Sequence, residues 1–191
     1  MIALVSGGSG SGKSALAEAL AMRLQPGEKI YIATMRAWGE EGRARVARHR
    51  ALRAGKNFST LERPLDLAGL VKAAPWPGAR PTVLLECTSN LLANEMFDEG
   101  GAGERSVPAI LEGFRALMGA SEHLVIVTNE IFSDGVAYDA DTQRYIARLG
   151  QINQALAEMA ELVVESVYGI PVVHKGKLDL QGVGRRESCL E

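Results

Sequence analysis

Met1-Ile2-Ala3-Leu4-Val5-Ser6 runs straight into Gly7-Gly8-Ser9-Gly10-Ser11-Gly12-Lys13-Ser14, and Ala15-Leu16-Ala17 follows without a break. An apolar run, then Gly-x4-Gly-Lys-Ser, then a helical period is the pattern of a phosphate-binding loop joining a strand to a helix. The glycines let the backbone curl so that several N–H groups face phosphate oxygens, and the helix N-terminus adds the positive end of its dipole. Lys13 is placed to neutralise the outer phosphates, and Ser14 to offer its hydroxyl to Mg2+. A nucleoside triphosphate is the ligand this stretch predicts.

Outward from the loop, β-rich runs alternate with helical periods, which predicts an α/β fold with a mostly parallel sheet and helices on both faces. The expected strands are 2–5, Lys29 to Ala33, Phe58 to Glu62, Thr82 to Glu86, His123 to Thr128 and Leu162 to Val167, with an edge strand about Val172 and Val173. Expected helices run from Lys13 to Leu24, Glu40 to Ala54, Leu65 to Ala73, Thr88 to Phe97, Val107 to Met118 and Asp141 to Ala160, the last broken or eased at Gly150. Asp98-Glu99-Gly100-Gly101-Ala102-Gly103 reads as a flexible surface loop or lid.

The 191 residues suit a single nucleotide-binding domain over 1–191, with a polar tail from about 176. Apolar content of 47% with 23% charged residues is that of a globular chain, and a net charge of -2 gives no general attraction to nucleic acid. The opening apolar run is too short for a signal peptide or a membrane span, so a cytoplasmic protein is expected. Cys87 and Cys189 fit neither a disulfide framework nor a zinc site; Cys87 reads as a core residue and Cys189 as a tail thiol.

Magnesium beside a phosphate loop is usually also held by a carboxylate at the end of a nearby strand. Glu86 and Glu130 both close apolar strands at the end of an α/β sheet where ligands collect. Capping the next helix is the competing role for each, and Glu86 is the preferred metal ligand. A second constellation is basic: Arg36, Arg43, Arg45, Arg48, Arg50, Arg53 and Lys56 face only Glu40 and Glu41 between positions 36 and 56. Arg45, His49 and Arg53 recur at i, i+4 and i+8 and share a helical face. With no second basic tract, a compact polyphosphate fits better than a polymer track. His49 is an ordinary surface histidine or a nucleophile; near neutral pH its imidazole is largely the free base and can attack phosphorus. Thr34 closes a strand and reaches toward a nucleotide or caps a turn. Glu62 can accept hydrogen bonds from a guanine edge or a ribose, or simply precede a turn. Asn90, Asn94, Arg144 and Asn153 read as polar groups on helix surfaces, while His123 reads as structural and His174 lies close to the tail.

Taken together, these pieces resemble the adenosylcobinamide kinase/adenosylcobinamide-phosphate guanylyltransferase family. The resemblance rests on Val5 to Ser14, Tyr31-Ile32-Ala33-Thr34, Arg45-Val46-Ala47-Arg48-His49-Arg50 with Arg53, and Ser59-Thr60-Leu61-Glu62. Leu84-Leu85-Glu86-Cys87 with Asn94, Val127-Thr128-Asn129-Glu130, Gly150 to Gln154 and Gly169-Ile170-Pro171 extend it to about residue 175. It implies a RecA-like P-loop fold, homotrimers, Mg2+, and two successive reactions. A nucleoside triphosphate, ATP or GTP, first phosphorylates adenosylcobinamide. GMP then passes from GTP, through a covalent link to His49, to the corrinoid phosphate. The resemblance also implies that Gly7 to Ser14 bind phosphates, that Thr34 and Met35 line the nucleotide site, and that Glu62 and Glu86 contact nucleotide or metal, with Arg50 and Arg53 in the basic helix beside His49. Position 86 is more often Asp in that family, Phe58 replaces a usual Trp, and Gly135-Val136-Ala137-Tyr138 loosens a Gly-Ile-Val-Pro motif. A P-loop kinase for another small alcohol and a non-enzymatic nucleotide switch also satisfy the first motif.

Overall fold

In the computed structural model the described residues are 1–36, 39–40, 47, 55–73, 80–131, 135 and 138–178. Seven strands form one sheet: β1 (Ile2–Ser6), β2 (Lys29–Ala33), β3 (Phe58–Glu62), β4 (Thr82–Glu86), β5 (His123–Val127), β6 (Leu162–Val167) and β7 (Ile170–Lys175). Their order is β3-β2-β4-β5-β1-β6-β7, parallel throughout except for β7, which pairs antiparallel to β6. The helices are α1 (Lys13–Leu24), α2 (Leu67–Ala73), α3 (Thr88–Phe97), α4 (Ser106–Ala120) and α5 (Ala140–Met159).

The central strands are buried on both faces, which is why they read as unbroken apolar runs instead of alternating ones. Successive side chains still go to opposite sides. Leu4, Ile30, Ile32, Val83, Leu85, Leu124 and Ile126 meet helices α2 to α5 through Leu67, Leu91, Phe114, Leu149 and Ile152. On the other face Ala3, Val5, Tyr31, Leu84, Val125 and Val127 meet Ala17, Leu20 and Ala21 of α1. Each large aliphatic side chain buried here contributes about 1.5–3 kcal/mol of transfer free energy.

Three expectations are corrected. Helix α5 passes through Gly150 unbroken, because Leu149, Ile152 and Leu156 on its buried face anchor both sides of the glycine. Residues 98–103 are tethered: the buried Glu95 carboxylate accepts from Asp66 N–H at 2.7 Å and from Ala102 N–H at 2.9 Å, and Gly101 N–H donates to Asp98 O at 3.0 Å. Asn94 and Asn153 are internal bridges, not helix-surface groups; Asn94 Nδ2 donates to Thr34 O at 2.8 Å and Pro64 O at 3.0 Å, and Asn153 Oδ1 accepts from Thr128 Oγ1 at 2.7 Å. The helix expected over 40–54 falls outside the described residues except at Glu40 and Ala47, as do Cys189 and the tail from 179. No described helix is long and apolar enough to cross a membrane.

Candidate functional site

The register of the sheet assembles the site. Val5 pairs with Val127, Val127 with Glu86, and Glu86 with Ala33, which pairs in turn with Glu62. Residues paired in a parallel ladder share a face, so Glu62 and Glu86 both lie on the α1 side of the sheet's carboxyl edge, two strand spacings or roughly 10 Å apart. The loop after β1 rises from the same edge. Gly7 and Gly12 have φ of 151° and 92°. A Cβ on Gly7 would lie 2.5 Å from Ser11 Oγ and 2.7 Å from Ser166 O, so no other residue fits there.

The loop is sewn to its neighbours on both flanks. Toward β5, Glu130 N–H donates to Gly7 O at 3.1 Å and Thr128 N–H to Val5 O at 2.9 Å. Toward β6, Ser11 O accepts from Gly169 N–H at 2.8 Å and from Ser166 Oγ at 2.7 Å. Ser9 and Gly10 are exposed at its tip. Helix α1 starts at Gly12 with no side-chain cap and no acidic residue in its first turn, leaving its terminal N–H groups for an anion.

Lys13 Nζ folds back to donate to Gly8 O at 3.0 Å. Burial lowers its pKa from 10.5, partly offset by Cys87 and Glu86. Burial also pushes the Cys87 thiol up, so Cys87 stays neutral and Glu86 is the counter-charge. Glu86 in turn is gripped at both oxygens: Ser14 Oγ donates to Oε1 at 2.5 Å and Tyr31 Oη to Oε2 at 3.0 Å. Tyr31 is buried on β2 beneath Glu86 and meets Phe58 edge to face, with centroids 6.3 Å apart. In the sequence Tyr31 figures only within the Tyr31-Ile32-Ala33-Thr34 motif, with no role of its own; the signal for that role is its place two residues before Ala33, the strand partner of Glu86.

Thr34 does not present its hydroxyl to the site. It is fully buried, and its Oγ1 accepts from Cys87 N–H at 2.7 Å and donates to Cys87 O at 2.8 Å. This latch, with Thr34 N–H donating to Glu86 O at 3.0 Å, fixes the end of β4 against β2. Met35 follows, half-buried, and Arg36 pairs with Asp98 at 3.0 Å. Behind the latch, Ser89 Oγ accepts from Asn129 Nδ2 at 2.6 Å and lies 3.0 Å from Cys87 Sγ. Tyr145 Oη donates to Ser89 O at 3.1 Å, its pKa raised by burial to about 12. The other two histidines make contacts away from the loop: His123 Nδ1 sits 3.0 Å from the amino terminus, and His174 Nε2 2.9 Å from Glu165 Oε2. His49, Arg50 and Arg53, with Arg43, Arg45 and Arg48, lie outside the described residues.

Magnesium prefers a few hard oxygen donors from protein and takes the rest of its shell from phosphate and water. The Ser14 hydroxyl and Glu86 carboxylate are such a pair, already in contact. Among the described residues there is no cluster of three or more His, Cys, Asp and Glu. The donor set fits Mg2+.

A glycine-rich loop between β1 and α1, a lysine and serine at its end, and an acidic strand terminus two strands away define a P-loop NTPase-like fold. The flagellar accessory protein FlaH from Methanocaldococcus jannaschii shares this fold, with a TM-score of 0.51 at 12% identity over 92% of this chain and 78% of that one. Residues 3–174 match the family described as cobinamide kinase / cobinamide phosphate guanyltransferase, and the chain belongs to that family. The bifunctional adenosylcobalamin biosynthesis protein CobP of Pseudomonas aeruginosa is 37% identical over 91% of this chain and 97% of its own. The bifunctional adenosylcobalamin biosynthesis protein CobU of Escherichia coli K12 is 34% identical over 90% of this chain and 98% of its own.

Proposed function

We propose that this chain phosphorylates adenosylcobinamide with a nucleoside triphosphate and then transfers GMP from GTP to the product, giving adenosylcobinamide-GDP. The observation that carries the reading is the Lys13–Ser14–Glu86 constellation at the mouth of the phosphate loop, in a chain that belongs to this family. In the first reaction the aminopropanol hydroxyl oxygen forms a bond to the γ-phosphorus as the bond to the β,γ-bridging oxygen breaks, releasing the nucleoside diphosphate. Lys13, the loop amides of Gly7 to Gly12 and the α1 N-terminus hold the charge on the phosphates. Ser14 and Glu86 would hold Mg2+, which supplies further positive charge to those oxygens.

In the second reaction a ring nitrogen of His49 bonds to the α-phosphorus of GTP and pyrophosphate departs. The corrinoid phosphate then displaces the imidazole, breaking the P–N bond and freeing His49. Arg50 and Arg53 sit in the same basic tract and suit the departing pyrophosphate; Glu62 and Met35 lie at the sheet edge where the nucleoside would rest. The reading includes a RecA-like variant of the fold, a homotrimer with the large corrinoid held between copies, and a cytoplasmic location.

Incubation with α-labelled GTP, and separately with γ-labelled ATP plus adenosylcobinamide, tests it. A protein–GMP adduct lost in His49→Ala, together with labelled corrinoid phosphate, is expected. Labelled corrinoid with no adduct would reduce the activity to a kinase, and neither product would leave only a nucleotide switch.

A further inference from the structure

The inner stripe of β6 ends in an unexpected residue. Leu162 and Val164 pack into the core beside α1, and side chains two apart on a strand share a face, so position 166 calls for a third aliphatic group. It carries Ser166 instead, only 2% exposed. A buried hydroxyl costs stability unless it is bonded. This one directs its proton into the phosphate loop, where Ser166 Oγ donates to Ser11 O at 2.7 Å.

The same carbonyl accepts a second bond, from Gly169 N–H at 2.8 Å in the β6–β7 turn. The two backbones approach so closely there that a Cβ on Gly12 would lie 3.2 Å from Gly169 Cα. With both lone pairs of Ser11 O engaged, the Ser11–Gly12 peptide plane cannot turn without losing two bonds. That peptide is trans and planar, so its N–H points opposite to its C=O. In the strand order β6 lies on one side of β1, and β5 and β4 on the other. Ser11 O faces β6, so Gly12 N–H is turned toward the β5 and β4 side, where Glu86 and the Ser14 hydroxyl meet. An amide aimed this way meets the phosphates held beside that pair.

We propose that Ser166 is a positioning residue for both transfers: by holding Ser11 O, it aims Gly12 N–H at the triphosphate. Ser166 itself touches no substrate. It fixes a donor in advance, so that no peptide has to turn when the anion arrives, which is the source of strength in a preorganised anion site. The inference rests on the nucleotide-site reading above and names what orients one of that site's donors.

Ser166→Ala removes the hydroxyl and leaves the Gly169 bond in place. Calorimetric titration of the full chain with inorganic tripolyphosphate and with GTP, each with Mg2+, reads the grip on phosphate, and the Gly12 amide resonance in proton–nitrogen NMR reads the donor itself. In the parent, the Gly12 amide proton should move downfield as tripolyphosphate binds. In Ser166→Ala that movement should shrink, and affinity for both ligands should fall together by about two- to tenfold, the worth of one net hydrogen bond. The unliganded Tm should drop by no more than about 4 °C, since Ser11 O keeps its second donor. Unchanged affinities in Ser166→Ala would overturn the proposal, and so would a Gly12 amide in the parent that ignores the ligand. A larger drop in unliganded Tm alongside weaker binding would assign Ser166 to the scaffold instead. If the parent binds neither ligand, the nucleotide-site reading fails first and this inference with it.

Discussion

Glu86 is where the site's chemistry and its scaffold meet. One oxygen takes the Ser14 hydroxyl and the other the Tyr31 hydroxyl, so the carboxylate is oriented before any ligand arrives. Glu86→Gln keeps its size and most of its hydrogen bonding while removing the charge. Its Mg2+-free GTP affinity should hold or improve, as one anion near the phosphates is gone, while the gain on adding Mg2+ collapses; calorimetry with and without the metal reads both. Tyr31→Phe should reduce the Mg2+-dependent affinity on the order of three- to tenfold, the worth of one net hydrogen bond. Lys13 gives the site a pH dependence. Its folded pKa lies below the unfolded 10.5, so between the two values the unfolded chain binds more protons and unliganded stability rises with pH. Bound phosphate favours the charged amine, so GTP affinity should fall as pH rises through that same window. A flat affinity from neutral pH upward would remove Lys13 from the phosphates.

At the scale of elements, two joints decide how the sheet edge and the long helix hold together. The Thr34 latch serves both main-chain polar groups of Cys87; Leu91 N–H also donates to Cys87 O at 3.1 Å, so Thr34→Val would orphan the Cys87 N–H, at a cost of ~1–3 kcal/mol. A lower melting temperature in Thr34→Val that Thr34→Ser restores is the expected result. Helix α5 begins on Asp139, whose Oδ1 accepts from Asp141 N–H and Thr142 N–H at 2.9 Å. The backbone bond from Thr142, then its hydroxyl, holds the Asp139 pKa below 3.8. The cap's contribution is present above the unfolded value and lost as pH falls through the folded one. Asp139→Asn should keep the cap but lose this acid-limb dependence in thermal melts. Elements such as β4 and β5 were legible because burial on both faces leaves unbroken apolar runs bounded by Pro, Gly or polar residues. The latch, the Asn94 bridge and the tethering of residues 98–103 were not. Asn94 reaches a carbonyl 60 residues away, and Glu95 fixes a glycine-rich loop that composition alone marks as loose. Lys13, Ser14 and Glu86 were nominated for the opposite reason, their position relative to a strand end, and the structure brings Ser14 and Glu86 into contact.

For the molecule as a whole, the phosphate loop, Glu86 and the β6–β7 turn draw on strands β4, β1 and β6, with β5 between them, so a bound triphosphate ties together the middle of the sheet. A ligand that binds only the folded state at a hundred times its Kd stabilises it by about 2.7 kcal/mol. For a chain of this length each kcal/mol is worth roughly 2–4 °C, so saturating GTP with Mg2+ should raise Tm by about 5–11 °C. Lys13→Ala separates ligand grip from intrinsic stability. The ammonium is desolvated and its Gly8 bond replaces only part of what water gave it, so its removal should leave the unliganded Tm unchanged or higher. The GTP-induced rise should disappear. A Lys13→Ala protein that melts normally and still gains several degrees from GTP would mean that the triphosphate docks elsewhere on the sheet.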